Sequence, residues 1–428
     1  MKVLVVGKGG REHAIINTIK KSNPNVELFC APGNGGTALD ATNVAISEMD
    51  SSAIKTFAVD NKIDFVVVTP DNPLADGMVD VLSEARIQCF GPSNQAARIE
   101  SSKVYAKNLM KKYNISTADF EVFSNPKEAL SHIVLKNQFP IVIKADGLAF
   151  GKGVFIAQNL KEAETALESL TIKEQFKNSA KKIVVEEFMQ GTEVSVLCLT
   201  DGKTIKPLIS SLDHKKAFDG NRGPNTGGMG AVAPNLAYTK QIADKCMEQI
   251  FIPTINALNI EGNPFCGCLY FGLMLTESGP KVVEYNCRFG DPETQAILPL
   301  LETNLLDLLV ATSNRTLADT QVKFSSQSTA CIVLASEGYP NEFETGFEIS
   351  GLNSNGQLQN PNFANVQIFH SGTKIENHKF KTCSGRVLCV VAKENNLQNA
   401  IENAYAAADS ISFKNKFLRC DIGSCAFK

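Results

Sequence analysis

PIVIKADGLAFGKGVFIA, residues 140–157, contains two apolar runs joined by a glycine-rich turn. The runs Pro140–Lys144 and Gly153–Ala157 both predict strands, so the turn connects two strands instead of opening a helix. A P-loop requires a helix directly after its glycines and is therefore excluded. Lys144 closes the first strand beside a mobile glycine loop, where it can neutralise phosphate charge while the loop folds over it. The alternative interpretation is a hairpin-like turn without a ligand.

The first hundred residues predict an open parallel α/β sheet. Helical stretches alternate with short apolar runs that are typical of buried strands: Lys2–Val6, Val26–Cys30, Asp64–Val68 and Ile87–Phe90. Ligands bind such sheets beyond the carboxyl ends of the strands, where the first loop is Gly7–Gly10. Its backbone N–H groups can hold a phosphate, or it is a plain tight turn. A nicotinamide or flavin fingerprint is disfavoured because Glu12 stands where its third glycine belongs.

Changes of pattern along the chain predict three domains. Residues 1–100 form the amino-terminal α/β domain. Residues 101–328 begin with a helix at Ser102–Tyr113 and continue through mixed strands and helices, including a long helix around Tyr238–Leu258. Residues 329–428 form a small, mainly β domain with three clear strand candidates: Ala330–Ala335, Val366–His370 and Arg386–Ala392. The predicted fold class is therefore a multidomain combination of α/β and α+β units.

Composition limits the kinds of partner. The chain has 428 residues and a formal net charge of -3, with 42 basic against 45 acidic residues. This balance leaves no surplus of positive charge to follow a nucleic-acid backbone. No apolar run reaches the roughly 18 residues that a membrane span needs. The twelve cysteines are scattered without a CxxC pair, which favours reduced thiols, mostly in the core, and a cytoplasmic location.

The segment VVEYNCR, Val282–Arg288, carries the most informative polar pattern. Alternation along a strand sends Glu284, Asn286 and Arg288 to one face and Cys287 into the core. A carboxylate and an amide oxygen are hard ligands suited to magnesium, which completes its octahedron with phosphate oxygens and water. The arginine can hold a carboxylate or a transferring phosphoryl group with two parallel hydrogen bonds. The alternative is the polar face of an exposed strand.

Together these residues resemble the ATP-grasp superfamily, with its strand lysine, glycine loop, E-E-F linker and late E-x-N-x-R in the same order. Five longer strings are similar to the phosphoribosylamine–glycine ligase family, also called glycinamide ribonucleotide synthetases. They are KVLVVGKGGREH (2–13), APGNGGTA (31–38), IKADGLAFGKGV (143–154), GPNTGGMGA (223–231) and EYNCRFGDPETQ (284–295). The resemblance extends from Met1 to the region of Gly385–Leu388.

The resemblance implies a fold and a reaction. Residues 1–100 would bind substrate, and residues 101–328 would form the ATP-grasp domain, with a mobile lid at about 120–190. The implied reaction joins glycine to 5-phosphoribosylamine in de novo purine biosynthesis. It consumes ATP, passes through glycyl phosphate, and yields glycinamide ribonucleotide, ADP and phosphate. We expect Mg²⁺ or Mn²⁺ as cofactor, glycine, 5-phosphoribosylamine and ATP as small-molecule partners, no nucleic-acid or membrane partner, and a monomer.

The resemblance also implies roles for individual residues. Arg288 and Lys144 are the expected catalytic residues, and Glu284 and Asn286 the expected metal ligands. The nucleotide is expected at Lys103, Lys144, Gly151, Gly153, Glu186, Glu187, Phe188 and Glu193, with adenine on the backbone of the Glu186–Phe188 linker. Glycine and phosphoribosylamine are expected at Gly9, Gly10, Asp71, Asp213 and Arg288.

Two other functions have to be compared with this one. A different ATP-grasp ligase, such as a formate-dependent transformylase or a carboxylase, would share the fold but not the GPNTGGMG string. A silent nucleotide-binding scaffold would have lost part of the set Glu284, Asn286 and Arg288, which this chain retains. His214 is either a proton shuttle or, as we favour, a hydrogen-bonded loop residue. His13 and His370 are interpreted as structural.

Overall fold

A five-stranded parallel sheet of order β3-β2-β1-β4-β5 forms the amino-terminal unit of the computed structural model, which describes residues 1–148, 153–172 and 182–427. The strands are β1 (Lys2–Gly7), β2 (Glu27–Pro32), β3 (Thr42–Asn43), β4 (Phe65–Val68) and β5 (Cys89–Phe90). The helices are α1 (Gly10–Ser22), α2 (Thr37–Asp40), α3 (Ser51–Asp60), α4 (Asp71–Ala75), α5 (Met78–Glu84) and α6 (Asn94–Ser101).

Both faces of this sheet are buried, which explains its continuous apolar runs. Leu4 and Val6 pack into one hydrophobic cluster, while Val3 and Val5 pack into another on the opposite face. The four predicted strands are confirmed. The last is shorter than expected because only Cys89 and Phe90 pair with β4.

The next unit is a four-stranded antiparallel sheet of order β6-β9-β7-β8. Its elements, after helix α7 (Lys103–Lys112), are β6 (Phe120–Phe123), α8 (Pro126–Lys136), β7 (Ile141–Ala145), β8 (Val154–Ala157), α9 (Leu160–Ile172) and β9 (Ile183–Glu187). The predicted pair of strands on either side of the glycine loop is thus confirmed, and β7 pairs directly with β8. The sheet and its two helices have a hydrophobic core of their own.

A second antiparallel sheet, of order β11-β10-β16-β17, follows in the chain. This region contains β10 (Thr192–Asp201), β11 (Ile205–Pro207), β12 (Leu212–Asp213), β13 (Lys216–Phe218), β14 (Arg222–Asn225), β15 (Gly230–Ala233), β16 (Cys266–Thr276) and β17 (Gly279–Asn286). Its helices are α10 (Lys240–Cys246), α11 (Ile252–Ile260), α12 (Glu293–Ile297) and α13 (Leu305–Ser313). A π-helical turn, Met247–Phe251, joins α10 to α11, so the predicted long helix is present but not regular.

The carboxyl-terminal region, from β18 onwards, is called the third unit. Its main sheet combines two distant parts of the sequence. It contains β18 (Ser328–Ser336), β19 (Val366–His370), β22 (Arg386–Glu394) and β23 (Lys416–Phe417), and it also includes β12 and β15. Strand β15 pairs antiparallel with β18, so that Gly230 lies opposite Ile332. The hairpin of β20 (Thr373–Glu376) and β21 (Lys379–Thr382) lies beside this sheet, and α14 (Leu397–Asp409) packs on it.

Two simple expectations can be compared with this fold. None of the helices in the described ranges is long and apolar enough to cross a membrane. All twelve cysteines are free thiols, and most are buried as expected, although Cys383, Cys420 and Cys425 are exposed.

The amino- and carboxyl-terminal units are joined by a buried amide. Asn34 is 8% exposed, and its Nδ2 donates to the carbonyl oxygens of Lys8 (2.9 Å) and His370 (2.8 Å). Its Oδ1 accepts from the backbone N–H groups of Gly36 and Thr37. One side chain therefore connects the loop after β1, the loop after β2 and the end of β19.

Two histidines lie beside this amide and are structural, as predicted. The Nδ1 atom of His13 accepts the backbone N–H of His370 at 2.8 Å. The side chain of His370 is fully buried between Thr373 and the carbonyl of Gly356. Burial lowers the pKa of His370 to about 3, so the ring is neutral at ordinary pH.

We predict that Asn34→Ala lowers the free energy of unfolding by about 2–3 kcal/mol, because several buried carbonyl and N–H groups lose their partner. Urea denaturation followed by circular dichroism measures this change. Asn362→Ala removes an exposed amide and serves as control, with an expected change below about 0.5 kcal/mol. Equal effects of the two substitutions would contradict the structural role of Asn34.

Candidate active site

A cavity of about 560 Å³ lies where the three units of the fold meet. This is within the range of small-molecule sites, roughly 300–1,000 Å³. Charged and polar side chains from all parts of the chain line it, including Arg11, Asp71, Glu100, Lys103, Lys107, Lys144, Glu186, Asp213, Lys215, Tyr270, Glu284, Asn286, Arg288, Asp291, Glu293, Tyr339 and Arg386. The cavity therefore suits a ligand with several charged groups.

Three of these side chains form a buried ion cluster. Oε2 of Glu186 lies 2.9 Å from Nζ of Lys144 and 3.2 Å from Nζ of Lys107. Burial lowers the pKa of Lys107 to about 8, although Glu186 opposes the shift. The second carboxylate oxygen, Oε1 of Glu186, is buried and has no hydrogen-bond partner among the residues that the structure describes. It is available to accept a hydrogen bond from a donor in the cavity.

Lys103 begins helix α7 and lies against the start of the glycine loop. Its Nζ donates to the carbonyl of Gly147 at 3.0 Å. Ser102 caps the helix by accepting the N–H of Tyr105 and donates to Asp146. Burial lowers the pKa of Lys103. The helix start and the glycine loop are thus linked, which brings Lys103 to the same cavity as Lys144.

Strand β17 presents its polar residues as the alternation predicted. Glu284, Asn286 and Arg288 all line the cavity, whereas Cys287 is buried and donates its backbone N–H to Glu100. Nζ of Lys215 lies 3.2 Å from Oε1 of Glu284. Lys215, and after it Lys144 and Lys103, overcome burial and lower the pKa of Glu284 to about 2.

These oxygens fit a hard divalent cation. The Glu284 carboxylate is ionised and about one third exposed towards the cavity. Oδ1 of Asn286 has only a long contact, 3.5 Å, with Arg288. Within the described ranges no three histidine, cysteine or carboxylate side chains form a ready-made metal cage. Two protein oxygens are what magnesium takes when phosphates and water supply its other ligands.

The guanidinium of Arg288 is held from several sides. It donates to the carbonyl of Phe289 at 3.1 Å, and its Nε lies 3.6 Å from Oε1 of Glu100. Burial opposes its charge, but Glu100, Asp71 and Glu293 outweigh burial and raise its pKa above the ordinary value. Arg288 is therefore a fixed cation at the boundary between the end of strand β17 and the amino-terminal sheet.

Buried carboxylates line the opposite part of the cavity. Oδ1 of Asp213 is buried, and no residue in the described part of the chain forms a hydrogen bond with it. Glu293 is 4% exposed and accepts a hydrogen bond from the hydroxyl of Tyr270 at 3.1 Å. Burial and the nearby Glu293 raise the pKa of Asp213 well above its usual range, although Lys215 opposes the shift. A positively charged group placed here would be stabilised by both carboxylates.

The first glycine loop differs from a simple phosphate loop. The backbone N–H of Gly9 donates to Oε2 of Glu12, which occupies the position of the fingerprint's third glycine. Glu12 is almost fully buried and also accepts from Thr69. Gly9 and Gly10 do not line the cavity, but a Cβ at Gly9 would meet the carboxylate of Asp291, which does. The loop is therefore adjacent to the cavity.

The remaining predicted residues have different positions. Gly153 and Asp71 line the cavity, whereas Glu187, Phe188 and Glu193 do not. The Glu187 carboxylate pairs with Lys281 at 3.2 Å, and Glu193 is exposed. The backbone of Glu186 lies within the ladder of β9, so its side chain is the part that faces the cavity. Gly151 lies outside the described residues.

Several residues that line the cavity were not predicted from the sequence patterns. They are Arg11, Glu100, Lys107, Lys215, Tyr270, Asp291, Glu293, Tyr339 and Arg386. Lys215 was detectable, since it lies two residues after Asp213 in the same polar segment. Lys107 follows Lys103 by one helical turn. Tyr339 and Arg386 come from the third unit, and no local pattern connects them with the others.

His214 is buried beside the cavity wall but does not line it. Its Nε2 accepts the backbone N–H of Gly423 at 3.1 Å, which connects it to the carboxyl-terminal segment. Burial, with a contribution from Arg419, lowers its pKa to about 4. These contacts favour the hydrogen-bonded loop role over the proton shuttle.

We predict that His214→Gln makes stability less sensitive to acid. The folded pKa of about 4 lies below the ordinary value of 6.5, so the unfolded chain binds a proton first as pH falls. Stability from this group is complete above pH 6.5 and is lost between pH 6.5 and 4. Between pH 7 and pH 5 the parent should lose about 2 kcal/mol more than the variant. Urea titrations at both pH values measure the difference, and equal losses would contradict this assignment.

Comparisons with known proteins identify the family of the chain. The chain matches the phosphoribosylglycinamide synthetase N domain over residues 1–100, the ATP-grasp (A) domain over residues 101–294 and the C domain over residues 329–425. It is 43% identical over 423 residues to phosphoribosylamine–glycine ligase of Clostridium acetobutylicum, with 99% of each chain covered.

Solved structures show the same relationship. The crystal structure of phosphoribosylamine–glycine ligase from Thermotoga maritima has a TM-score of 0.84 at 34% identity, covering 99% of this chain and 100% of that one. Biotin carboxylase from Campylobacter jejuni shares the fold, with a TM-score of 0.76 at 13% identity over 97% of this chain and 92% of its own. The predicted fold class is confirmed, and the chain belongs to the phosphoribosylamine–glycine ligase family, whose members are ATP-grasp ligases.

Proposed function

We propose that this chain joins glycine to 5-phosphoribosylamine in de novo purine biosynthesis, using ATP and forming glycinamide ribonucleotide, ADP and phosphate. One observation supports it most directly. A single cavity contains two groups of side chains. Lys103 and Lys144, which both interact with Glu284, suit phosphate and form what we call the lysine end. Asp213 and Glu293, which interact with each other, suit an ammonium group. Family membership makes ATP and glycine the natural ligands of these two groups.

The nucleotide is proposed to lie against the lysine end. Lys103 and Lys144 neutralise phosphate charge, and Gly153 borders the glycine loop that would cover the phosphates. The unpartnered Oε1 of Glu186 is proposed to accept the exocyclic amine of adenine, which would satisfy a buried acceptor. The backbone of Glu187 and Phe188 and the side chain of Glu193 remain proposed contacts for adenine and ribose at the rim.

A divalent cation, Mg²⁺ or Mn²⁺, is proposed between the phosphates and the β17 oxygens of Glu284 and Asn286. When bound, it neutralises charge that develops on the transferred phosphoryl group. Lys215 pairs with Glu284 in the described structure and keeps that carboxylate ionised over the whole working pH range. The Glu284 carboxylate therefore stays deprotonated and able to bind the cation.

Glycine is proposed to lie with its ammonium between Asp213 and Glu293 and its carboxylate towards Arg288. In this orientation the glycine ammonium donates to the unpartnered oxygen of Asp213, and the glycine carboxylate lies near strand β17. Formate and bicarbonate have no ammonium group and would leave both buried carboxylates uncompensated. The charge of the cavity thus favours an amino acid over the acyl donors of the alternative ligases.

The proposed reaction has two steps. A carboxylate oxygen of glycine attacks the γ-phosphorus of ATP, the bond to ADP breaks, and glycyl phosphate forms. The amine nitrogen of phosphoribosylamine then attacks the carbonyl carbon, phosphate leaves, and the nitrogen loses a proton to phosphate or solvent. Arg288 and Lys144 hold the reacting groups and stabilise the charge that develops during transfer.

The phosphoribosyl group is proposed to bind at the carboxyl edge of the parallel sheet. Gly9 and Gly10 border this edge, and Asp71 reaches the cavity from the start of α4. This position places the amine of the substrate near Arg288, whose charge is influenced by Asp71. We further propose that the protein acts as a cytoplasmic monomer.

Phosphate release tests the function directly. The protein is incubated with ATP, Mg²⁺ and phosphoribosylamine, with and without glycine, and with formate or bicarbonate in place of glycine. Release that depends on glycine and stops when the metal is chelated is the expected result. Release with formate or bicarbonate but not glycine would assign a different ligase, and no release with any acyl donor would favour a silent scaffold.

We predict that Arg288→Lys lowers turnover by about 30- to 1000-fold, or about 2–4 kcal/mol of barrier. Lysine keeps the charge but loses the planar fork that gives two parallel hydrogen bonds. ATP affinity, measured by calorimetry, should change little. Near-normal turnover would remove Arg288 from the mechanism, and a parallel loss of ATP affinity would assign it to the nucleotide phosphates. Arg98→Lys, at a side chain that does not line the cavity, is the control.

A further inference from the structure

The third unit contributes two side chains to the cavity, Tyr339 and Arg386. Both contact the segment Asn225–Gly228, which starts at the last residue of strand β14. This segment also lines the cavity through Asn225, Thr226 and Gly227. This segment belongs to the GPNTGGMG string, and we call it the acyl loop. Neither Tyr339 nor Arg386 has a role in the function proposed above, and their contacts call for a separate explanation.

Arg386 connects the acyl loop to the segment before α12. Its Nη1 donates to the carbonyl of Gly227 at 2.8 Å and to the backbone carbonyl of Asp291 at 2.8 Å. The same nitrogen lies 3.2 Å from Oδ1 of Asp291. A Cβ at Gly227 would lie 3.1 Å from the guanidinium carbon and 3.2 Å from the hydroxyl of Tyr339. A side chain at this position would have to displace both groups by a few tenths of an ångström, so their close approach favours glycine.

Tyr339 holds the same glycine from its other backbone group. The N–H of Gly227 donates to the hydroxyl of Tyr339 at 3.0 Å. The ring lies against Gly385, where a Cβ would collide with it, and edge-on to Phe343, with 6.2 Å between the ring centroids. The direction of the hydroxyl is thus set by packing within the third unit.

Other contacts of the acyl loop are made close by in the chain, where Asn225 pairs with Lys216. Thr226 donates its N–H and its hydroxyl to the carbonyl of Lys215, and Gly228 donates its N–H to the Thr226 hydroxyl at 2.9 Å. Gly228 has a φ of +113°, which side-chain-bearing residues rarely adopt. Two adjacent glycines give this backbone more conformational freedom than other residues would. The contacts from the third unit therefore help to fix its conformation.

We propose that Tyr339 and Arg386 are positioning residues that keep the acyl loop closed over the reacting carbonyl and exclude water from it. This inference rests on the proposed glycyl phosphate intermediate. In an open site, water attacks the carbonyl carbon, the bond to phosphate breaks, and glycine and phosphate leave with a proton released. The sum is hydrolysis of ATP to ADP and phosphate without product. The third unit thereby keeps ATP consumption coupled to ligation.

The test measures the ratio of phosphate released to glycinamide ribonucleotide formed. Parent enzyme, Tyr339→Phe, Arg386→Lys and the control Tyr113→Phe are compared with ATP, Mg²⁺, glycine and phosphoribosylamine. Tyr113 donates its hydroxyl to Glu261 at 2.7 Å and does not line the cavity, so this control removes a hydroxyl elsewhere. Thermal unfolding and the KM for ATP are measured on every variant.

We expect a ratio near one for the parent and the control. In Tyr339→Phe the hydrolysis that bypasses product should increase about five-fold, the equivalent of about 1 kcal/mol for one neutral hydrogen bond. Arg386→Lys should show a larger increase, because Arg386 holds both the loop and Asp291. The KM for ATP and the thermal midpoint of Tyr339→Phe should match those of the control.

Two results would overturn the inference in different ways. If both variants keep a ratio of one while their rates fall, the contacts are merely structural and the coupling role is wrong. If the parent releases no glycine-dependent phosphate, the proposed function fails and this inference fails with it. Should Arg386→Lys unfold early, Tyr339→Phe alone decides, since it removes one hydroxyl and keeps the ring.

Discussion

The buried cluster of Lys107, Lys144 and Glu186 is the interaction on which this side of the cavity depends. Two ammonium groups share one carboxylate oxygen, so helix α7 and strands β7 and β9 are held together by charge. Removing one partner from such a buried group costs about 3–5 kcal/mol. The cluster nevertheless leaves one positive charge in excess and one unpartnered oxygen, Oε1 of Glu186. A nucleotide with an anionic phosphate chain and a hydrogen-bond donor on its base would satisfy both.

The same reasoning applies along the whole cavity. Glu284 interacts with Lys103 and Lys144, its ion-pair partner Lys215 interacts with Asp213, and Asp213 interacts with Glu293. Opposite charges separated in this way favour a set of ligands whose own charges are separated. An anionic phosphate and a zwitterionic amino acid fulfil this condition, and a uniformly charged ligand does not. Burial and the nearby Glu293 account for the raised pKa of Asp213, and Lys215 accounts for the lowered pKa of Glu284.

No single unit of the fold contains the complete cavity. The amino-terminal unit contributes Asp71 from helix α4. The central region contributes the lysines of helix α7 and strand β7 and the polar residues of strand β17, and the third unit contributes Tyr339 and Arg386. The pairing of β15 with β18 brings the acyl loop against the third unit, although these strands are about a hundred residues apart in sequence. Asn34 makes a comparable connection between the first and third units. Interfaces between units thus determine the geometry of the reacting groups.

The sequence by itself determined the elements and the residues with local patterns. Alternation along β17 predicted the common face of Glu284, Asn286 and Arg288, and the strands flanking residues 145–153 excluded a P-loop. Such patterns depend on the fixed periods of strands and helices, which act over a few residues. Only the tertiary structure decided that Glu186 faces the cavity by its side chain, that His214 binds Gly423, and that Tyr339 and Arg386 contact the acyl loop. These contacts depend on strand register and packing between distant segments, and no local period encodes them.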